Sequence, residues 1–514
     1  MSNKRPNILL IMTDEHAPDV AGYAGDPHAR TQNLDRLAAK SVQFETATCA
    51  VPVCTPSRMC MLTGKEGHHV AGWNNHWIIF PEHRTWPEHF AEHGYRTCLV
   101  GKMHFGGRDQ MQGFQVRPYG DLRHGVSHQC EPLDLFPGYH GARSAGVSEI
   151  PESMMQDVVV TRESLAFARD HAAMEPDTPW FLCASYGRPH PPFTTPARYH
   201  YRYVDNAPGI ELPEDEREQL EPYARQFYDG ASSLTDEEIQ AGREGYYACI
   251  DFVDDLIGEL LDGLERDGLL ENTIIIYTAD HGEMLGRHGM WGKCVYFDPS
   301  IRVPLLITGP GIAAGHHVVD HPISLMDLFP TTCALAGLPM PKRIDGVDFS
   351  AVLTEPEASE APREFVPSFF TRYSALVHLK KNPHSESDPH QAWRCIRDAR
   401  WNYVEVEGGE PLLFDLETDP EERNNLAGLP EHAERCKRMR EALFDGFDWA
   451  GVHAQLATDR SRLPQHMSGW KPSTPNQYML PDGRVFDAEK ELFDTRWLRL
   501  PDDRVGSIIP QRFG

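Results

Sequence analysis

Short runs of isoleucine, leucine and valine recur along the first two thirds of the chain, with helical patterns between them. Runs that are apolar throughout, rather than alternately polar, predict strands covered on both faces, as in a parallel sheet. Between them, an apolar stripe at helical spacing over residues 250–264 predicts a helix. This alternation predicts an α/β fold, a three-layer sandwich around a large, mostly parallel sheet. The runs are NILLIMTD, RTCLVGK, WFLCASY, TIIIYTAD and VPLLITG.

The pattern changes near residue 375. The histidine-rich segment 378–390 predicts a surface loop at a domain boundary, and the sequence after it predicts antiparallel strands followed by a helix near residues 432–447. The end of the chain is proline-rich and predicts an irregular arm, for which we expect a role in forming a homo-oligomer. We therefore predict a catalytic domain (1–375), a smaller C-terminal α+β subdomain with an antiparallel sheet (376–450) and an arm (451–514).

Charge and cysteine usage limit the classes of partner. A formal net charge of −27 argues against nucleic acid, so any anionic substrate must be captured by a local group of cations. Eleven scattered cysteines predict reduced thiols and a cytoplasmic location. The apolar run from Ile8 to Met12 is too short for a signal peptide and ends in Asp14 and Glu15. No apolar stretch approaches the length of a membrane span, so we expect no membrane partner.

Acidic residues follow two of the predicted strands. Asp14 and Glu15 end the first run, and Asp280 and His281 end the run TIIIYTAD. The carboxyl ends of parallel strands are where such folds bind ligands, and carboxylate oxygens suit a hard divalent cation. The alternative is that Asp14 and Asp280 only cap the following helices. The two pairs together favour a metal site.

Cations and imidazoles follow the other strands. Lys102 and His104 come after RTCLVGK, His190 lies in the RPHP segment after WFLCASY, and Lys293 follows the glycine-containing segment HGMWG. Single lysines are usually solvated at the surface. Because each of these follows a predicted ligand-edge strand, they are candidates for binding an anion.

The segment VPVCTPSRMCMLTG places Cys54 beside Pro56, Ser57 and Arg58. A neutral thiol favours an apolar core, whereas this one is surrounded by turn-forming residues and a fixed positive charge. Three interpretations are open: a packed free cysteine, a cysteine nucleophile, or a thiol that is the precursor of another chemical group.

These motifs carry a resemblance to a known family. Residues 54–64 match the C-x-P-S-R…L-T-G signature of the formylglycine-dependent sulfatases, and residues 94–104 resemble their second signature. The acidic strand ends, the P-H-x-P segment and Lys293 occur in the family's order, and LFDLETDPEERNNLA resembles the entry to its C-terminal subdomain. The resemblance covers the chain to about Leu426 and implies an alkaline-phosphatase-like fold.

The resemblance also implies a modified nucleophile. The motif cysteine of the family is oxidised to formylglycine by a separate formylglycine-generating maturation enzyme, and the aldehyde is then hydrated to a diol. One hydroxyl attacks the ester sulfur, and the second allows the sulfated intermediate to collapse and expel sulfate. Carried over to this chain, Cys54 is the precursor of the nucleophile, and Arg58 neutralises and orients the diol.

The metal ligands implied by the resemblance are Asp14, Asp280, His281 and the modified Cys54, with Glu15 as a fifth candidate. Family members often have aspartate at the position of Glu15 and asparagine at that of His281. The resemblance implies Ca²⁺, and because imidazole also binds other divalent ions, Mn²⁺, Mg²⁺ and Zn²⁺ are alternatives.

The remaining roles concern the substrate. Lys102 and Lys293 would hold the sulfate oxygens, and His104 would take a proton from the diol during elimination. His190 would protonate the leaving alcohol, alone or with Lys293. Asn75 would contact the sulfate, with Asn74 as the alternative register.

The sequence thus predicts an arylsulfatase-like hydrolase that converts a small-molecule sulfate monoester to alcohol and inorganic sulfate. A phosphonate monoester or phosphodiester hydrolase is the alternative, because YGRPHPPF and Asp280-His281 resemble that branch, whereas Lys102 and His104 argue against it. A non-catalytic binder of sulfated ligands would not need Cys54. Four aromatic residues are candidates either for an aromatic or choline-like pocket or for packing: Trp73, Trp77, Tyr186 and Trp291.

Overall fold

The structure is a computed structural model that describes residues 4–75, 77–107, 109–118, 141–372 and 391–467, with two short strands beyond them. The predicted boundary loop 378–390 lies outside the described residues.

The described strands are β1 (Asn7–Asp14), β2 (Val42–Phe44), β3 (Ala47–Thr48), β4 (Arg96–Gly101), β5 (Gly146–Val147), β6 (Trp180–Pro189), β7 (Thr194–Thr195), β8 (Thr273–Ala279), β9 (Leu305–Thr308), β10 (His317–Val319), β11 (Ile323–Ser324), β12 (Val366–Thr371), β13 (Ala392–Arg397), β14 (Trp401–Val406), β15 (Leu412–Asp415), β16 (Gln477–Met479) and β17 (Val485–Asp487). The described helices are α1 (Gln32–Ala38), α2 (Cys54–Thr63), α3 (Trp86–Glu92), α4 (Gln156–Met174), α5 (Ala197–Tyr203), α6 (Glu216–Gln219), α7 (Pro222–Ala231), α8 (Asp236–Arg266), α9 (Asp298–Ile301), α10 (Leu328–Leu335), α11 (Ser350–Thr354), α12 (Ala433–Leu443) and α13 (Trp449–Met467).

The large sheet has seven strands in the order β10-β2-β9-β8-β1-β6-β4. Strand β1 lies inside the sheet and is parallel to both β6 and β8, and β4 is parallel to β6. All five apolar runs form strands of this sheet, as predicted. The run VPLLITG, however, forms β9, which is antiparallel to both of its neighbours, so the sheet is mixed on that side.

The two faces of the sheet are buried in separate hydrophobic cores. Successive side chains of β1 point to opposite faces, so that Leu9 and Ile11 enter one core and Ile8, Leu10 and Met12 enter the other. Helices α1, α4, α5 and α8 cover the first face, while α2, α3 and α10 cover the second. The predicted three-layer sandwich is confirmed.

Helix α8 contains the predicted apolar stripe and is 31 residues long. It begins at a capping box in which the Thr235 side chain accepts from the backbone of Glu238 and the Glu238 side chain accepts from that of Thr235. None of the helices in the described part of the chain is long and apolar enough to cross a membrane.

A second sheet of four antiparallel strands, β12-β13-β14-β15, follows the large one, as predicted. Its first strand, β12, comes before residue 375, so the sheet begins earlier than the predicted boundary. The segment predicted to be an irregular arm begins instead as helix α13. Val452 and Leu456, four residues apart, pack there in one apolar cluster with Trp73 and Trp77, which are distant in sequence. The role of the arm in oligomers stays a prediction.

Gly101, at the end of β4, is a position where only glycine fits. Its φ is +98°, and a Cβ there would lie 2.0 Å from the carbonyl oxygen of Ser185 on the neighbouring strand. The close approach follows from the register, because Gly101 pairs directly with Ser185. The same turn delivers Lys102 to the edge of the sheet.

We expect Gly101→Ala to lower the free energy of unfolding by about 3–5 kcal/mol, since it adds a backbone clash to the strain of a positive φ. Gly94→Ala is the matched control, because Gly94 has a φ of +89° but open space around its Cα. We expect that control to cost about 1 kcal/mol. Calorimetric unfolding of both variants measures the difference, and equal losses would contradict the strand register described here.

Candidate active site

The site is built where β1, β8 and helix α2 meet. Asp14 is the last residue of β1, and Asp280 directly follows β8, its parallel neighbour in register. Cys54 is the first residue of α2 and is fully buried. Its Sγ lies 3.8 Å from Asp14 Oδ1 and 3.3 Å from His281 Nε2. The structure thus brings four of the predicted ligands together, with donor atoms within 4.8 Å of one another: Asp14, Cys54, Asp280 and His281.

Arg58 lies one helical turn after Cys54 and joins the two acids. Its Nη2 and Nε donate to Asp14 Oδ2 and Asp280 Oδ2, each at 2.8 Å, and all three side chains are buried. Its Nη1 donates to the carbonyl of Lys102 and to Ser185 Oγ. Burial alone would raise the pKa of Asp14, yet Lys102, His190 and Arg58 hold it well below its usual range. The guanidinium therefore holds both carboxylates in place.

The arrangement of His281 fits a metal ligand. Its Nδ1 lies 2.9 Å from the carbonyl oxygen of Gly282, which only accepts, so Nδ1 is the donor and Nε2 faces Cys54. An imidazole oriented by a backbone carbonyl is typical of metal-binding histidines. Asp280 is fixed as well, since its Oδ1 accepts from the backbone N–H groups of Glu15 and His281. The residues present therefore fit a divalent cation.

Glu15 is not part of this group of four side chains. Its φ of +70° turns the chain after β1, and its Oε2 pairs with Lys293 Nζ at 2.7 Å. It forms a second group of possible ligands with Asp14 and His190. Burial raises the pKa of Glu15 to about 8, against the opposing effect of Lys293. In this structure Glu15 pairs with Lys293, and its role as a metal ligand stays a prediction.

The two predicted sulfate-binding lysines are held by different acids. Lys102 directly follows β4, and its Nζ lies 2.7 Å from Asp14 Oδ2. Burial acts to lower the pKa of Lys102, but Asp14, Cys54 and Asp280 together outweigh burial and raise the pKa. The pKa of Lys293 is likewise raised against burial, by Glu15 together with Cys54 and Asp14. Both ammonium groups therefore stay charged beside Cys54.

The predicted acid and base lie on neighbouring loops. His190 donates from Nδ1 to the carbonyl of Pro191 at 2.8 Å, and its Nε2 lies 3.7 Å from Glu15 Oε2. Burial, together with Lys102 and Lys293, holds the pKa of His190 well below its ordinary value. His104 adopts a φ of +58°, and its carbonyl accepts from Thr55 Oγ1, next to Cys54.

Asn75 lies at the N-terminus of α2. Its Oδ1 accepts from the backbone N–H of Thr55 at 2.9 Å, so it caps the helix that begins at Cys54. Asn75, the residue predicted to contact the sulfate, therefore lies next to residue 54. Its contact with the sulfate, and Asn74 as the alternative, stay predictions. The helix has no capping side chain of its own at Val53, which explains why an amide from another loop serves this purpose.

Sequence reasoning missed two supporting residues. Ser185, inside the run WFLCASY, reaches Arg58 from β6. Glu283, three residues after Asp280, accepts from the backbone N–H groups of Leu285 and Gly292. Both Ser185 and Glu283 lie close to motifs identified in the sequence, and that position was the available signal for them. The candidate aromatic residues Trp73, Trp77 and Tyr186 are fully buried, which favours packing, and Trp291 packs against Phe193.

Two family models match the chain. The Sulfatase model matches residues 6–338, more than half of the sequence. A model described as N-sulphoglucosamine sulphohydrolase, C-terminal, matches residues 286–446.

Relatives match over most of their length. A choline-sulfatase of Rhizobium meliloti (strain 1021) is 32% identical over 463 residues, with 84% of each chain covered. An ulvan-active sulfatase of Formosa agariphila is 31% identical over 439 residues, covering 83% of this chain and 78% of the relative.

Solved structures with the same fold include a phosphonate monoester hydrolase of Agrobacterium radiobacter, with a TM-score of 0.70 and 26% identity over 88% of this chain and 96% of that one. A phosphonate monoester hydrolase of Silicibacter pomeroyi has a TM-score of 0.70 and 25% identity, and covers 94% of this chain and all of that one. The predicted alkaline-phosphatase-like fold is confirmed. With these matches over nearly its whole described length, the chain belongs to the sulfatase family and is a sulfuric ester hydrolase.

Proposed function

We propose that this enzyme converts a sulfate monoester of a small alcohol to the alcohol and inorganic sulfate, with formylglycine derived from Cys54 as its nucleophile. The observation that carries the proposal is the position of Cys54, which begins a buried helix between an acidic metal-binding group and two lysines. The Sγ atom marks where the diol oxygens of formylglycine would lie. A maturation enzyme that oxidises Cys54 is implied as a partner.

The thiol itself is a poor nucleophile in this setting. Burial and the neighbouring Asp14 raise the pKa of Cys54 to about 12, although Lys293 and Lys102 oppose them. A packed structural cysteine would not need four charged residues around it. Of the three interpretations of Cys54, the precursor of a modified residue therefore has the best support.

The reaction proceeds in two steps. In the first, an ionised oxygen of hydrated residue 54 bonds to sulfur, the bond from sulfur to the ester oxygen breaks, and the leaving alcohol takes a proton. In the second, the remaining hydroxyl loses its proton to His104, the bond from carbon to the sulfate oxygen breaks, and sulfate leaves. The aldehyde is thereby restored, and water adds to it to regenerate the diol.

The cation has one task in this scheme. Held by Asp14, Asp280 and His281, a divalent ion would lower the pKa of a hydroxyl of residue 54 so that it ionises near neutral pH. Ca²⁺ is the ion we propose, with Mn²⁺, Mg²⁺ and Zn²⁺ as alternatives because of the imidazole ligand.

The chain's own cations bind the anion. Lys102 and Lys293 flank Cys54 from two sides, held by Asp14 and Glu15, and would hold the sulfate oxygens. His190 is the proposed proton donor to the alcohol. When protonated, its Nε2 would carry that proton toward the substrate, while Nδ1 keeps its bond to Pro191.

A phosphonate monoester hydrolase is the second candidate, because two solved neighbours with TM-scores of 0.70 have that name. The position of Lys102 against Asp14, with His104 on the same loop, favours the sulfatase. One of the relatives is a choline-sulfatase. Choline sulfate, an alkyl ester, is therefore a suitable test substrate beside aryl sulfates.

We expect a preparation in which the peptide mass at residue 54 corresponds to formylglycine to hydrolyse an aryl sulfate faster than the matching aryl phosphonate. Cys54→Ala should remove both activities, whereas Cys333→Ala, a buried thiol outside the site, should leave them unchanged. Turnover of both substrates is measured beside the peptide mass. Full activity with only unmodified thiol would overturn the mechanism, and faster turnover of the phosphonate would favour the alternative.

Chelation should abolish turnover, because without a cation the hydroxyl of residue 54 does not ionise near neutral pH. Adding Ca²⁺, Mn²⁺, Mg²⁺ or Zn²⁺ singly to the stripped enzyme identifies the ion. Asp280→Asn should lose bound metal, measured by mass spectrometry of the elements, while Asp254→Asn, another buried carboxylate, should retain it. Metal retained by the Asp280 variant would mean that the acid only supports Arg58.

His190→Ala should slow hydrolysis of choline sulfate about a hundred- to ten-thousandfold, and that of nitrophenyl sulfate much less, because nitrophenolate needs little protonation. Lys102→Ala should slow both esters alike, since it binds charge already present on the sulfate. We would measure kcat/KM for both variants on both esters. Equal losses for His190→Ala would assign the acid role to Lys293.

A further inference from the structure

Lys293 lies in a loop with an unusual backbone. Between residues 285 and 294, three non-glycine residues have φ values of +50° to +81°: Leu285, His288 and Cys294. Three glycines of the same loop are also left-handed: Gly286, Gly289 and Gly292. Non-glycine residues keep such conformations only where the surrounding structure holds them. The contacts that hold this loop therefore decide where Lys293 points.

On its amino-terminal side, Lys293 follows the anchored residue Gly292. The N–H of Gly292 donates to Glu283 Oε1 at 2.6 Å, and its carbonyl accepts from the N–H of Met284 at 2.8 Å. Both backbone polar groups of Gly292 are thus held by the two residues that precede the loop.

On its carboxyl-terminal side, the anchor comes from elsewhere in the chain. The carbonyl of Cys294 accepts two hydrogen bonds, from the Tyr223 hydroxyl at 2.8 Å and from Trp393 Nε1 at 3.0 Å. Tyr223 lies on α7 and Trp393 on β13 of the antiparallel sheet, and both are fully buried. A carbonyl oxygen has two lone pairs, and here each has a donor. Cys294 itself has a φ of +81°.

We propose that Tyr223 and Trp393 are positioning residues for Lys293. By holding the carbonyl of Cys294 they keep the left-handed turn, and that turn aims Lys293 Nζ at Glu15 and the sulfate position, where Nζ lies 2.7 Å from Glu15 Oε2. The inference rests on the proposed role of Lys293 in binding sulfate. It gives the antiparallel sheet a part in the active site, through a residue 99 positions after Cys294.

The alternative is that Tyr223 and Trp393 only stabilise the hydrophobic core. Two control variants test this alternative. The Tyr95 hydroxyl donates to the carbonyl of Pro6 at 2.9 Å, so Tyr95→Phe loses the same kind of hydrogen bond away from the site. Trp86 is fully buried, and its Nε1 has no partner among the described residues. Trp86→Phe therefore repeats the volume loss of Trp393→Phe without losing a hydrogen bond.

The first measurement is independent of catalysis. The rate at which an amine-reactive reagent labels Lys293 reports how firmly its ammonium group is held. Peptide mass spectrometry measures this rate. We expect Tyr223→Phe and Trp393→Phe each to raise this rate about two- to tenfold, the effect of one lost hydrogen bond. Lys102 in the same protein should be labelled at an unchanged rate. Tyr95→Phe and Trp86→Phe should leave both rates unchanged.

The second measurement uses nitrophenyl sulfate. Each single variant should lower kcat/KM about two- to tenfold, and the double variant about four- to a hundredfold, because small displacements of a binding group are costly. In the Lys293→Ala background the same two substitutions should cost nothing further, since their effect passes through Lys293. The controls should lower the unfolding temperature without changing kcat/KM.

Unchanged labelling of Lys293 in both variants would overturn the proposal. So would losses in kcat/KM that are as large in the Lys293→Ala background as in the wild type. A wild-type enzyme that does not turn over sulfate esters would refute the proposed function instead, and the labelling rates would still decide whether Tyr223 and Trp393 hold Lys293.

Discussion

The buried guanidinium of Arg58 is the interaction on which the rest of the site depends. It links helix α2 to β1 through Asp14 and to β8 through Asp280, and none of the three side chains reaches solvent. Removing one partner of such a group would leave an uncompensated buried charge, which costs about 3–5 kcal/mol. The same interaction thus fixes the start of α2, where Cys54 lies, and the orientation of both carboxylates.

The balance of charge around Cys54 explains how an acidic protein can bind an anion. Three carboxylates, Asp14, Glu15 and Asp280, face three cations, Arg58, Lys102 and Lys293. By formal charge these six side chains cancel, although the whole chain has a formal net charge of −27. Because the pKa of Glu15 is raised to about 8, its protonation near neutral pH shifts the balance of the group toward positive charge. A divalent cation would make the group positive. Because the side chains are buried, that local charge acts in a medium where electrostatic interactions are strong.

Features that depend on residues close together in the sequence could be predicted, whereas contacts between distant residues could not. The ends of β1 and β8 could be predicted with their acids, because apolar runs followed by Asp14 and Asp280 are visible within eight or nine letters. The contacts of Ser185 with Arg58 and of Trp393 with Cys294 could not, since they join residues 127 and 99 positions apart. Glu15 was predicted as a metal ligand because it follows Asp14, and the sequence did not show its positive φ or its ion pair with Lys293.

The prediction of irregular structure was wrong for residues 451–467, for a related reason. Proline content favoured an irregular arm, but the partners of α13 are Trp73 and Trp77, nearly four hundred positions earlier. Trp73 Nε1 donates to Asp459 Oδ2 on that helix at 3.0 Å.

The Trp73–Asp459 hydrogen bond and the Trp393–Cys294 hydrogen bond have the same effect, because each connects a loop beside Cys54 to an element near the end of the chain. Asn75, which caps α2 at Thr55, lies two residues after Trp73, so its loop is tied to α13. The loop of Lys293 is tied to β13 through Trp393. Strand ends of the large sheet supply Asp14 and Asp280, but the two loops that flank Cys54 are both held by side chains from the last quarter of the chain. The loops beside Cys54 therefore depend on contacts with the C-terminal part of the chain, although the predicted site residues themselves all come before it.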